Sequence, residues 1–302
     1  MRCIRILVPL VLFLWAACSR PTRLELQRAA EIQSRIDAVD VLQRRLVFPE
    51  HFEHAPAHKR GGEFDVMQIL PFFPHLRLEE GYVLDYVYEF GGIGGEPVVY
   101  ARKANASPFA DLEAFVASAP ERVHLDEADR AWKQFREDKK AAGNIDASLE
   151  AWDRLKKRLA EIPDHDVSHL YLKHVATDES DDGFIELAAL SLVGDQFYLF
   201  WHAGYKQRTI VLTKEKADKV MSSLGESNRP PDPSQPEPPR LTSALLCPKV
   251  VRTAGSVTVS FHVFSRWGGL SRLSFQISPS FPHQIVEKEA EVVVPYDCGI
   301  VF

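Results

Sequence analysis

The sequence predicts an α+β fold, with antiparallel strands around inserted helices and a small all-β unit at the C-terminal side. Three patterns carry that reading. Residues 22–46 space their apolar side chains three and four apart, residues 82–90 alternate at period two, and two stretches rich in Ala, Lys, Glu, Arg and Leu separate two groups of strands. A hydrophobic content of 45% over 302 residues supplies a substantial core.

Taken in order, the first element is an amphipathic helix from Thr22 to Leu46. Ala29, Ile32, Ile36, Val39 and Leu46 form its apolar seam and Gln43 interrupts it. Tyr82, Leu84, Tyr86, Tyr88 and Phe90 then face one way along a strand, and Val83, Asp85, Val87 and Glu89 face the other. Gly91 to Gly95 turn the chain into a return strand over 97–102. Ser107-Pro108 reads as the cap and first turn of a helix running to about Ser118. Helices are expected over 126–142 and 146–161, parted by Gly143-Asn144. Strands resume near Val167: Phe184–Val193 and Gln196–His202 read as a hairpin about Gly194-Asp195, with Phe197–Trp201 as a central strand. A further strand over 207–213 and a helix over 214–224 complete this part.

Six prolines between Pro230 and Pro239 mark a semi-rigid spacer, because proline fixes φ and cannot donate to a ladder. Strands follow over 257–264, 270–277 and 285–294. The expected organisation is therefore a signal (1–18), an N-terminal helix and loop (19–60), an α+β domain (61–224), a Pro-rich linker (225–240) and a small β unit (241–302).

The N-terminus indicates the compartment. Arg2 and Arg5 precede an uncharged run from Ile6 to Ala17, about twelve residues, against the roughly twenty that a membrane span needs. Basic start, short apolar run and small residues before a cut make a secretory signal. Leu14-Trp15-Ala16-Ala17-Cys18 resembles the lipobox of bacterial lipoprotein precursors, with Trp15 where that family usually carries Leu. The resemblance covers the signal alone. It implies acylation of Cys18 and anchoring of the mature chain to a cell-envelope membrane; cleavage without acylation would give a soluble periplasmic or secreted protein. Without Arg2 and Arg5 the chain holds 34 basic and 42 acidic residues, a net charge of 34 − 42 = −8. An acidic chain with no basic stripe is a poor match for nucleic acid. With Cys3 and Cys18 accounted for, Cys247 and Cys298 are expected to form a disulfide in an oxidising compartment.

No cofactor is expected, and two clusters are the candidate metal sites. Glu50-His51-Phe52-Glu53-His54 with His58 offers zinc three imidazoles, although Pro49 and Pro56 bracket it and H-E-x-x-H is absent. Asp178-Glu179-Ser180-Asp181-Asp182-Gly183 with Glu186 resembles the start of an EF-hand calcium loop, with donors at Asp178, Ser180, Asp182 and Glu186. Ala189 stands where that loop needs a bidentate Glu, which favours an acidic hairpin loop. The glycines at 91–95 lead into a strand, so they do not form a phosphate loop. Neither G-x-S-x-G nor S-x-x-K occurs, and no catalytic residue is nominated. Tyr82, Tyr86, Tyr88, Trp201, Tyr205 and Trp267 could stack a sugar or peptide, but strand spacing favours the core for most of them. The expected role is a non-enzymatic envelope protein, held on the membrane by its N-terminal lipid, that binds a protein or cell-wall partner. A metal-dependent envelope hydrolase using the histidine cluster and a protective, immunity-type surface protein are the alternatives.

Overall fold

A computed structural model describes residues 20–54, 57–90, 94–142, 145–162, 167–201, 204, 206–224 and 239–296. Cys18, Cys298, Gly91–Ile93 and most of the Pro-rich stretch lie outside the described residues. The first helix, α1 (Arg23–Arg44), starts at a capping box: the Thr22 hydroxyl accepts from the Glu25 N–H (3.2 Å), and the Glu25 carboxylate accepts from the Thr22 N–H (2.6 Å). Ala29, Ile32, Ile36 and Val39 are buried as the seam requires, and so are Gln33 and Gln43.

A first sheet follows, made of β2 (Tyr82–Phe90), β3 (Gly94–Lys103) and the two-residue β5 (Phe200–Trp201), preceded by β1 (Leu76–Leu78), which pairs with β4 (Val175–Thr177). β2 and β3 form an antiparallel ladder from Tyr82↔Lys103 to Phe90↔Gly95. One face of this ladder carries Leu84, Tyr86 and Tyr88 into the main core. The other packs Val87, Val98 and Tyr100 beneath α2 (Leu112–Ser118) and the start of α3 (Arg122–Ala141). Helix α2 begins at Asp111, whose carboxylate accepts from the Ala114 N–H (2.8 Å), so the cap is four residues beyond the expected Ser107. Helices α3 and α4 (Ile145–Glu161) pair as a hairpin with Trp132, Phe135 and Trp152 clustered between them.

The largest departure from the sequence reading is at 181–193. The expected strand is a helix, α5 (Asp181–Val193), and residues 183–193 are buried on every side. Ser180 caps it, accepting from the Gly183 N–H (3.0 Å), and Asp181 and Asp182 stand in its first turn, where the helix dipole favours negative charge. Its interior is Leu and Ala rather than β-branched, the composition of a helix, while burial all round removes the period that would have revealed one. Gly194 therefore ends a helix instead of turning a hairpin, and Phe197–Leu199 form a loop before β5.

The second sheet joins segments on both sides of the Pro-rich stretch. Its order is β10 (Ile285–Val294), β9 (Gly269–Ile277), β8 (Val257–Ser265) and β6 (Thr209–Val211), with β7 (Lys249–Arg252) beside β6 along the same edge of β8. Val257, Val259, Phe261 and Val263 of β8 meet α1, α5 and the first sheet in one cluster. On its other face, Phe264 and Leu270 pack with Ala217 of α6 (Lys214–Ser222) and Leu246 of α7 (Ser243–Leu246). No helix among the described residues is long and apolar enough to cross a membrane.

Candidate functional site

The four residues of the expected calcium loop lie in the turn between β4 and α5 and in the first two turns of α5, where Asp178, Asp182 and Glu186 bond His75, Arg28 and Arg35 while Ser180 caps the helix. Asp178 Oδ1 accepts from the Ser180 N–H (3.0 Å) and Oγ–H (2.5 Å), and its Oδ2 lies 2.7 Å from His75 Nδ1. Burial works against the charged form of Asp178, but the bonds from Ser180 and His75 prevail and hold it down at about 2. Asp182 pairs with Arg28, and Asp181 with Arg252 (2.8 Å). Glu186 is fully enclosed, accepting from Arg35 Nη2 (2.6 Å) and from the His75 N–H (2.9 Å). Burial pushes its carboxyl upward against those bonds.

The turn is tight. Glu179 adopts φ 61°, and a Cβ on Gly183 would lie 2.6 Å from Asp178 Oδ1. These oxygens bolt α1 and β7 onto the start of α5. They do not converge on an empty centre.

The three histidines of the other candidate site are dispersed. His51, within a short 3₁₀ turn at Glu50–Phe52, lies 3.0 Å from Glu63 Oε1; His54 is exposed; His58 Nδ1 lies 3.0 Å from the Ala110 carbonyl. The single 3₁₀ turn ends at Phe52, before His54, so a helical alignment that would bring the rings together does not form. Among the described residues, no group of three or more His, Cys, Asp or Glu side chains is arranged to hold a metal ion. Cys247 is buried, with its Sγ 3.8 Å from the Glu25 carbonyl oxygen; its proposed partner Cys298 is outside the described residues. Tyr86 and Tyr88 are core, as their spacing suggested, and Trp267 is 37% exposed.

No protein-family model, no curated protein and no solved structure matches this chain. Its chemistry is therefore read from its own surface.

A groove of about 280 Å³ runs between the C-terminal half of α1 and residues 193–199 and 207–210. Asp37, Asp40 and Arg44 line the α1 wall, Arg208 and Tyr198 the opposite one, and Leu46 part of the floor. Lys216 pairs with Asp37 (2.7 Å) and Arg44 with Asp40 (2.8 Å). Tyr198 stands at φ 52°, held by two bonds: its hydroxyl accepts from the Phe64 N–H (3.0 Å), and its carbonyl accepts from the Tyr88 hydroxyl (2.9 Å).

The free edge of β6 faces this groove, capped by side-chain amides. Gln33 accepts from the Leu212 N–H (2.7 Å) and donates to the Ile210 carbonyl (3.2 Å), while Gln196 accepts from the Arg208 N–H (3.1 Å). Strand residues 208, 210 and 212 thus meet the hydrogen-bond pattern of a missing neighbour strand. The groove's lining holds both signs of charge, Asp37 and Asp40 with Arg44, Arg208 and Lys216. Sequence reading missed it. It took Gln43 for an interruption of the apolar seam and did not single out Gln33; a glutamine spaced into that seam was the available signal.

Proposed function

We propose that the protein is an exported lipoprotein precursor whose mature body binds a protein or cell-wall partner at the envelope membrane, without catalysis. The observation that carries the reading is the basic start and short apolar run ending in Ala16-Ala17-Cys18. Support comes from α1, which begins at a capping box only four residues beyond Cys18 and is packed along its length into the body. It comes also from the acidic run nominated for calcium, whose Asp178, Asp182 and Glu186 are bonded to His75, Arg28 and Arg35. The groove beside β6 is the concave surface offered to the partner. Lipidation leaves a mass signature. The full chain expressed in a bacterial host and extracted from membranes should yield a mature form starting at acylated Cys18, and Cys18→Ser should abolish both processing and membrane retention. Unchanged cleavage and attachment in Cys18→Ser would overturn the reading.

A further inference from the structure

The α3–α4 hairpin has two unlike sides. On one, a groove of about 570 Å³ runs along the seam of Ala131, Phe135, Ala151 and Leu155, and its rims are polar. There Arg154 donates to Asp138 (3.1 Å) and Arg158 pairs with Glu127. Trp132 and Trp152 take no part in that groove. They stand together on the other side, with ring centroids 5.9 Å apart, and each also lies against Phe135 (5.8 and 5.5 Å).

This aromatic side is turned to water. Trp132 is 37% exposed, Trp152 40%, and Leu149, one turn before Trp152 on the same face of α4, 57%. Near the body, by contrast, Leu125 of α3 is covered beneath α2. An amphipathic helix normally presents its apolar stripe to a neighbour, and here the stripes of two paired helices lack a third layer. Tryptophans at the centre of such a patch are the side chains that dominate contact energies between proteins.

The charges indicate what that layer is. Before Trp132, α3 carries Asp126, Glu127 and Asp129 against Arg122 and Arg130, a net −1; after it come four cations and two carboxylates, a net +2. Helix α4 has two carboxylates and no cation before Trp152, a net −2, then four cations and two carboxylates, a net +2. Each helix is thus acidic on one side of its tryptophan and basic on the other. Within the hairpin, Glu127 from the acidic part of α3 already meets Arg158 from the basic part of α4. A second copy laid antiparallel satisfies the same rule by identity, because each acidic half then faces a basic half.

We propose that the aromatic side of the hairpin docks on the same side of a second copy, about a two-fold axis that crosses the helices at Trp132 and Trp152. The tryptophans and Leu149 of both chains form the buried centre. Asp129 and Arg136, three residues before and four after Trp132 on one face of α3, meet their opposites from the other copy on either side of it. The two bodies lie at opposite ends of the four-helix layer, so they do not obstruct one another. This contact is independent of the acylation of Cys18 and leaves the groove beside β6 open.

Sedimentation of the mature chain without signal and anchor, residues 19–302, tests it. The mass should pass from monomer to dimer between about 1 and 200 µM. Leu149→Glu places a charge in the centre without touching the seam of the hairpin, and it should weaken association at least about tenfold. Asp129→Arg and Arg136→Asp should each weaken it severalfold, and the two together should restore the parent's dimer, with far-UV circular dichroism unchanged throughout. A parent chain that stays monomeric over that range would overturn the proposal. So would a dimer indifferent to Leu149→Glu, which places the contact on another surface. Failure of the doubly reversed chain to recover would overturn the antiparallel register.

Discussion

Glu186 and His262 show how differently two buried ionisable side chains can be accommodated. Glu186 keeps a guanidinium and a backbone N–H within 2.6 and 2.9 Å, and its enclosure is compensated by them. His262, on β8, is buried and neither ring nitrogen has a hydrogen-bond partner among the described residues. Burial, reinforced by Arg272 on β9 and Lys249 on β7, pushes its pKa down to about 4. The folded state therefore resists a proton that the unfolded chain accepts near pH 6.5. Stability contributed by neutral His262 is complete above that pH, falls as the pH drops toward 4 and levels off below it. The ceiling on this loss is about 3 kcal/mol. Urea melts at pH 7 and pH 4.5 should show the loss in the parent chain, and His262→Leu should reduce the difference between the two. A His262→Leu variant with the parent's full pH dependence would place the acid sensitivity elsewhere.

At the scale of elements, the cap of α5 separates what the sequence displayed from what it concealed. Ser180→Ala removes the acceptor for the Gly183 N–H and should cost about 1 kcal/mol in a chemical melt. Ser107→Ala, at the cap expected from sequence but unused in the structure, should change stability by less than about 0.5 kcal/mol. Comparable losses in both would contradict the assignment of these caps. The reason for the misreading is physical. The first half of β8, β9, α1 and α6 each have a dry face and a wet face, so their periods of two or 3.6 were legible, while β2, buried on both faces from Leu84 to Tyr88, showed its period through Asp85 and Glu89. α5 has no wet face, and an apolar run without a period reads equally as a buried strand. The same limit hid the site: the Asp-rich run was visible, but its partners Arg28, Arg35, His75 and Arg252 lie some 70 to 150 residues away in the chain.

For the whole molecule, the consequential feature is that one core serves both sides of the Pro-rich stretch. β6 pairs with β8 across it, and β8 and β9 send Val257, Val259, Phe261, Val263, Leu273, Phe275 and Ile277 into the cluster that holds Phe184 and Leu187 of α5. Seven such side chains at roughly 1.5 to 3 kcal/mol each contribute on the order of 10–20 kcal/mol of burial, as much as the usual net stability of a folded chain. A fragment ending at Leu224 would expose the apolar flank of α5 and leave β6 with no strand beside it. Such a fragment should lack a cooperative transition. The intact mature chain should instead unfold in one step, with far-UV circular dichroism and tryptophan fluorescence giving the same midpoint. Trp267 lies beyond the stretch and Trp132 and Trp152 before it, so fluorescence samples both sides. Two separated transitions, together with a cooperatively folding 19–224 fragment, would mean that the shared cluster couples the halves by much less than its burial implies.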